Sequence, residues 1–539
     1  MSRHHSKRPR SAIDHAVALA LLACAAGVAV GHAANFTCTL TTSGSWTAAA
    51  NWSGCNAGAS YPNNTAANTF DALIAAGAAN LQSAVNIGNA TVQGSGIWQI
   101  YTNAASAALS GGVNLAGSGL IDLQDSGQLT TAGDVTLAGG GASRLKVDAY
   151  GGVGGSQVVI GGNLDNQSNG SVYDGGVSIG NSGMTLADAV QVHGGLTNTG
   201  IVTLNGGSVV GATSQLVVAG SAPSTLTGQY NLIGNVGGAS VRWGGGGITQ
   251  IGDGGANGGT LLIHGANAYA EVGSTQSNSA LSGLATIASN GLLDLRDGAT
   301  VNIGNSLTVE GGGTGRLKVD GYGGCCSYGG STVTIAGNLI NQSNGAGIND
   351  GGVAVGNAAM AHADELTVTG DLTNTGGTVV VQGGQTAAAS ATLKVGGAAP
   401  ATLTGTYALT ANVGGASLQW GSGGITQIGD GGANAGTLYI HGPNAYAEVG
   451  ATQSNSALNG LATIASNGLL DLRDGATVNI GNSLTVEGGG TGRLKVDGYG
   501  GCCSYGGSTV TIAGNLINQS TGNNDGGVSV GEGQMTHGD

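Results

Sequence analysis

Six cysteines lie beyond the first thirty residues of the chain, at Cys38, Cys55, Cys325, Cys326, Cys502 and Cys503. None forms a Cys-x-x-Cys pair, so their spacing signals neither a redox dithiol nor half of a zinc site. In an oxidising compartment pairing is the default. Cys38 and Cys55 share one short segment and are expected to form a disulfide. Cys325-Cys326 and Cys502-Cys503 stand in identical Gly-Tyr-Gly-Gly-Cys-Cys-Ser-Tyr-Gly-Gly loops. Adjacent Cα atoms are about 3.8 Å apart, below the usual disulfide span, so a strained bridge within each pair, bridges between molecules and free thiols all remain open.

A second chemical candidate is the string Arg316-Leu-Lys318-Val-Asp320, which recurs at Arg144 to Asp148 and as Arg493-Leu-Lys495-Val-Asp497. Period-2 alternation puts Arg, Lys and Asp on one face of a strand and Leu and Val on the other. That charged face could line a saccharide groove; the plainer reading is a solvated face balancing its own charge. His193, His264, His362, His441 and His537 are the histidines after the leader, and no two stand at metal-ligand spacing. Gly311 to Gly315 lacks the Lys-Ser/Thr of a phosphate loop, and the calcium-binding nonapeptide of other β-helices asks for Asp where Leu317 stands. No catalytic residue, no cofactor and no metal site is expected.

The elements that must position these residues are short and repetitive. Gly283 to Ser343 is identical to Gly460 to Ser520, at an offset of 177 over 61 residues. The offset extends outward: Ile248 to Asp253 recurs at Ile425 to Asp430. A diverged copy lies upstream, where Gly119 to Leu123 and Arg144 to Asp148 precede their counterparts by 172 residues. The chain thus divides into a leader over 1–34, an N-terminal cap over 35–74, and a repetitive region over 75–539 with units near 75–247, 248–424 and 425–539. Met535, His537 and Asp539 match Met360, His362 and Asp364, so the last unit stops short and a truncated gene or a fragment is expected.

Within a unit, Leu366, Val368, Leu372, Val379 and Val381 fall on alternating positions of short strands separated by Gly and Asn turns. Strands this short bury their apolar face only by stacking on the next coil. The predicted fold is all-β, a right-handed parallel β-helix, with about 20 residues per coil, roughly 25 coils and a rod on the order of 120 Å long. A β-propeller is the less fitting repeat architecture, and disorder is disfavoured by 40% apolar residues in alternation.

Arg3, Lys7, Arg8 and Arg10 precede an apolar run from Ala16 to Val30 that ends in Gly31-His-Ala-Ala34. This is the grammar of a secretory signal peptide, with Cys24 offering a rival lipoprotein processing site. Its removal leaves 10 basic against 27 acidic residues, a net charge of −17. Such a surface repels nucleic acid and anionic lipid. The segment after it, with Trp46, Trp52, Cys38, Cys55 and Pro62, is predicted to cap the free strand edges of the first coil.

Gly44-Ser-Trp46, Asn51-Trp52-Ser-Gly54, Pro62 and Asp71-Ala-Leu-Ile74, together with Leu366 to Gly376 and Leu403 to Tyr407, resemble bacterial autotransporter passenger regions and proteins with autotransporter-associated β-strand repeats. The resemblance covers most of the mature chain through loose motifs, and no C-terminal translocator barrel is matched. It implies export to the Gram-negative outer membrane and a β-helical stalk, at the cell surface or extracellular. Taken together, the expectation is a non-enzymatic, adhesin-like passenger presenting repeated weak contacts to host or environmental glycans or proteins, or to neighbouring rods. Membrane attachment would need a missing or separate anchor. The alternative is a β-helical polysaccharide-degrading enzyme, which needs acidic and basic side chains converging in one open groove.

Overall fold

The computed structural model describes residues 34–539 apart from 57, 103, 150–151, 171–174, 235, 321–328, 346, 348–350, 412, 491, 498–506, 522–526 and 532–534. The leader therefore lies, but for Ala34, outside the described residues, as do both double-cysteine loops.

Inward-pointing Val, Leu and Ile from three directions make one continuous core. In a representative coil, Leu307 and Val309 come from one face, Leu317 and Val319 from a second, and Val333 and Ile335 from a third, all fully buried. Each strand pairs in parallel with its counterpart one coil away, as Leu317↔Val353 and Val353↔Val379 show on the second face. The chain is a parallel β-solenoid, as its alternation predicts. The second face runs without a break from Gly44–Ser45 to Val528–Val530, through eighteen strands among the described residues. It is an open ladder, because each of its strands pairs only with the coil before and the coil after.

Coil length departs from the sequence estimate. In-register partners on the second face are as close as Ala79↔Trp98 and as far as Leu317↔Val353. Coils therefore hold 19 to 36 residues instead of about 20, and the rod spans roughly 80 Å at about 4.8 Å per coil. Among the described residues the excess sits in corner segments such as the one between Val272 and Thr286, which add residues without adding a rung. The duplication offset equals six coils, from Gly291–Arg296 to Gly468–Arg473, and so does the offset to the diverged first copy.

Two interruptions have a visible remedy. The third face breaks between Ala268–Val272 and Thr300–Ile303. There the buried Asn278 accepts from the Ala270 amide at 2.8 Å and donates to the Thr300 carbonyl at 2.8 Å. Asn455 does the same for Ala447 and Thr477. One amide side chain thus satisfies backbone groups that the broken ladder would orphan. The repeated Leu-Thr-Asn motif has a similar basis: Asn166 donates to Asn198 at 2.8 Å and Asn341 to Asn374 at 3.0 Å, forming buried asparagine rungs at one corner.

At the N-terminal end, Ala34–Leu40 is already a rung, paired in parallel with Asn68–Ile74. The short strand Trp52–Ser53 runs antiparallel along its other edge. Trp46 is buried between Trp52 and Trp98, with ring centroids 4.8 and 5.0 Å away, and its indole N–H donates to the Pro62 carbonyl. The cap segment therefore contributes the first coil as well as its cover.

Candidate functional site

Cys38 and Cys55 are disulfide-bonded, with Cα atoms 4.8 Å apart. Their bridge ties the first rung to the segment that folds over it. Cys325, Cys326, Cys502 and Cys503 lie outside the described residues. The strands flanking their loops, Arg316–Val319 and Arg493–Val496, stand six coils apart, which is roughly 29 Å.

The charged strand is covered, which corrects its reading as a groove or solvated face. Lys318 is 4% exposed and Lys495 5%, and Asp320 and Asp497 are fully buried, while Arg316 and Arg493 are half-buried. In-register stacking is the reason. Lys318 lies opposite Asp294 of the coil before and Ala354 of the coil after, and Lys495 opposite Asp471. Asp294 in turn takes Arg296 Nη2 at 2.6 Å, and Asp471 takes Arg473 at 2.8 Å. Close-packed rungs leave these side chains facing one another instead of water.

The strand also leads into a corner network that sequence reasoning missed. Asp125, Asp297 and Asp474 adopt positive φ at the turn from the second face to the third, and so do Asp148, Asp320 and Asp497 one coil later. Asp is among the few side chains tolerated in that conformation. The Asp297 amide donates to Asp320 Oδ1 at 3.1 Å, as Asp125 does to Asp148 and Asp474 to Asp497. In the following coil, the Asp364 carboxyl hydrogen-bonds that of Asp320 and accepts from the Ser331 amide at 2.9 Å. Asp188 with Asp148 and Ser156 repeats the arrangement. Burial, and then the neighbouring Asp148 charge, push the Asp188 carboxyl up to about 8; burial and Asp320 push Asp364 up to about 9. A carboxyl pair sharing a proton resembles acid–base machinery. These pairs are sealed: Asp148, Asp188 and Asp320 are fully buried and Asp364 is 1% exposed. Glycosidase carboxyls stand about 5 to 9.5 Å apart to admit a sugar or water, whereas these hydrogen-bond each other.

Among the histidines, His264 Nε2 contacts Asp297 Oδ2 beside this network. His441, its equivalent, is largely buried, which holds its imidazole below the usual range. Among the described residues no three His, Cys, Asp or Glu side chains gather as a metal site.

A cleft of about 420 Å³ opens to solvent on the outer side of the third face. Its floor is the in-register row Gln215↔Ser240↔Tyr269, beside the row Val217↔Arg242↔Glu271. Val210, 85% exposed, and Val236, 50% exposed, rise beside it. At the far end Glu271 is buried, receives Arg242 Nε at 3.1 Å, and accepts from the Thr275 and Gln276 amides at 2.8 Å. Gln276 is held at a φ of 48°, an unusual conformation for a residue with a side chain. The register recurs six coils on, with Ser417↔Tyr446 and Gln419↔Glu448, and Gln453 at a φ of 51°. The doublets Asn267-Ala-Tyr269 and Asn444-Ala-Tyr446 were visible in the sequence. Their partners come from separate coils, so nothing local marked them as a site.

No family model, no curated protein and no solved structure matches this chain.

Proposed function

We propose that this is an exported, non-enzymatic surface protein, an adhesin-like β-helical rod of the autotransporter-passenger kind, associated with a Gram-negative outer membrane. The observation that carries the reading is the in-register recurrence of one outward-facing row, Ser240↔Tyr269 and Ser417↔Tyr446, with half-buried tyrosines over buried serines, six coils apart on the same side of the rod. Repeated weak contacts on a rigid scaffold gain by avidity what a single deep pocket gains by enclosure. Glycans or proteins of a host or environment fit such contacts, as do neighbouring rods. The paired carboxyls argue against the enzymatic alternative, because a substrate cannot reach them.

The test compares the chain with a version lacking residues 283–459, which removes one unit. Both are presented to polysaccharide-coated and protein-coated surfaces, and reducing ends are assayed in parallel. The expected result is surface binding that weakens at least about ten-fold on losing a unit, with no sugar released. Release of reducing ends would transfer the assignment to the degrading enzyme.

A further inference from the structure

We infer that the cleft around Tyr269 is a binding site for a neutral pyranose unit of a glycan, an assignment that rests on the recurring outward-facing rows being the binding face. A pyranose ring has a C–H face that is apolar and an edge of hydroxyls that both donate and accept. The cleft offers a complement to each. The Tyr269 ring and the methyls of Val210 and Val236 supply apolar surface. Gln215 and Gln276 bring amide side chains, which carry two donors and an acceptor oxygen each, and Asn267, whose Nδ2 donates to the Val236 carbonyl at 3.5 Å, stands beside them. A volume of about 420 Å³ is of small-molecule size.

Charge selects among glycans. Arg242 is bound through Nε to the buried Glu271, so the cleft's own charges cancel. The chain as a whole carries −14, which disfavours acidic sugars. The site is also braced. Glu271 holds the Thr275 and Gln276 amides, so the segment bearing the Gln276 side chain is anchored through a buried carboxylate.

The second copy is the weaker one. Gln419 replaces Arg242 and binds Glu448 at 3.0 Å, leaving that carboxylate without a guanidinium partner. Ala387 stands where the first copy has Val210, and Thr392 where it has Gln215, so the wall is lower and one amide is gone.

The experiment is affinity electrophoresis of the full chain in soluble mannan, galactan, glucan and xylan, with polygalacturonate as the acidic comparator. At least one neutral polymer should retard the protein. Tyr269→Ala should weaken retardation at least about ten-fold, Tyr269→Phe should keep it, and Tyr446→Ala should weaken it less than Tyr269→Ala. Unchanged far-UV circular dichroism and unfolding midpoint show that each variant is folded. Full retardation of Tyr269→Ala would overturn the cleft assignment while leaving the multivalent rod intact. Preference for polygalacturonate would overturn the neutral-sugar assignment. Retardation by no polymer, with capture on a protein-coated surface, would overturn the cleft assignment alone; failure on every surface would remove the rod's proposed role as well.

Discussion

Asp320 and Asp364 meet carboxyl to carboxyl at the same corner of two successive coils, both closed off from solvent. The corner carries Asp297 beneath them, whose amide is bound to Asp320 and whose carboxylate contacts His264, with the Ser331 amide on Asp364. Two like charges cannot share such a place, so one proton stays.

This fixes the sign of the pH dependence. Asp188 at about 8 and Asp364 at about 9 lie far above the roughly 4 of an unfolded carboxyl. Between those values the folded chain holds a proton at each of these sites that the unfolded chain has lost, so the contribution of these two groups to stability is full below about pH 4 and declines as pH rises towards 9. Thermal unfolding should give a higher midpoint at pH 5 than at pH 9. Asp364→Asn keeps a hydrogen-bonding group and removes one charge, and it should flatten part of that slope. A midpoint that rises with alkalinity would contradict the shared proton.

Removal of residues 283–459 joins Ser282 to Gly460, from which point the sequence repeats what followed Ser282 for 61 residues. Because the excised segment is six whole coils, the ladder should close in register. Small-angle scattering should show a folded rod shorter by roughly 29 Å, with an unfolding midpoint within a few degrees of the parent. Aggregation or lost β-structure would show that the copies are not interchangeable.

Reduction of Cys38–Cys55, or Cys38→Ser, opens a loop whose ends are 17 residues apart. The expected cost is about 3 kcal/mol on the loop-entropy account. Denaturant unfolding followed by tryptophan fluorescence reads it locally, since Trp46, Trp52 and Trp98 cluster there. Equal midpoints with and without reductant would refute the contribution.

Trp46→Ala removes the ring packed between Trp52 and Trp98 and leaves the Pro62 carbonyl without its indole donor. A loss of about 3–5 kcal/mol is expected. In a solenoid the damage should stay near the first coils. Limited proteolysis should then cut the N-terminal end first while the later coils persist.

The double-cysteine loops should never join each other within one molecule. Their flanking strands are six coils, roughly 29 Å, apart, and a disulfide needs Cα atoms within about 7 Å. Non-reducing peptide mapping of the monomer should yield no fragment linking Cys325 or Cys326 to Cys502 or Cys503. Such a fragment would mean that the rod folds back on itself.

The alternation of Leu366 and Val368, the 177-residue offset and the Gly-Asn turns determined on their own that this chain stacks short strands into a parallel solenoid. Those are local signals: which face a strand buries follows from a period of two, and equal sequence gives equal structure. The sequence did not determine how many residues close a coil, because a corner segment such as the one between Val272 and Thr286 lengthens the coil without changing the strands. Nor did it show Lys318 covered, Asp320 paired with Asp364, or Tyr269 set beside Arg242 and Val210. Each of those contacts joins residues from different coils, and only the register of stacking, a property of the folded ladder, brings them together.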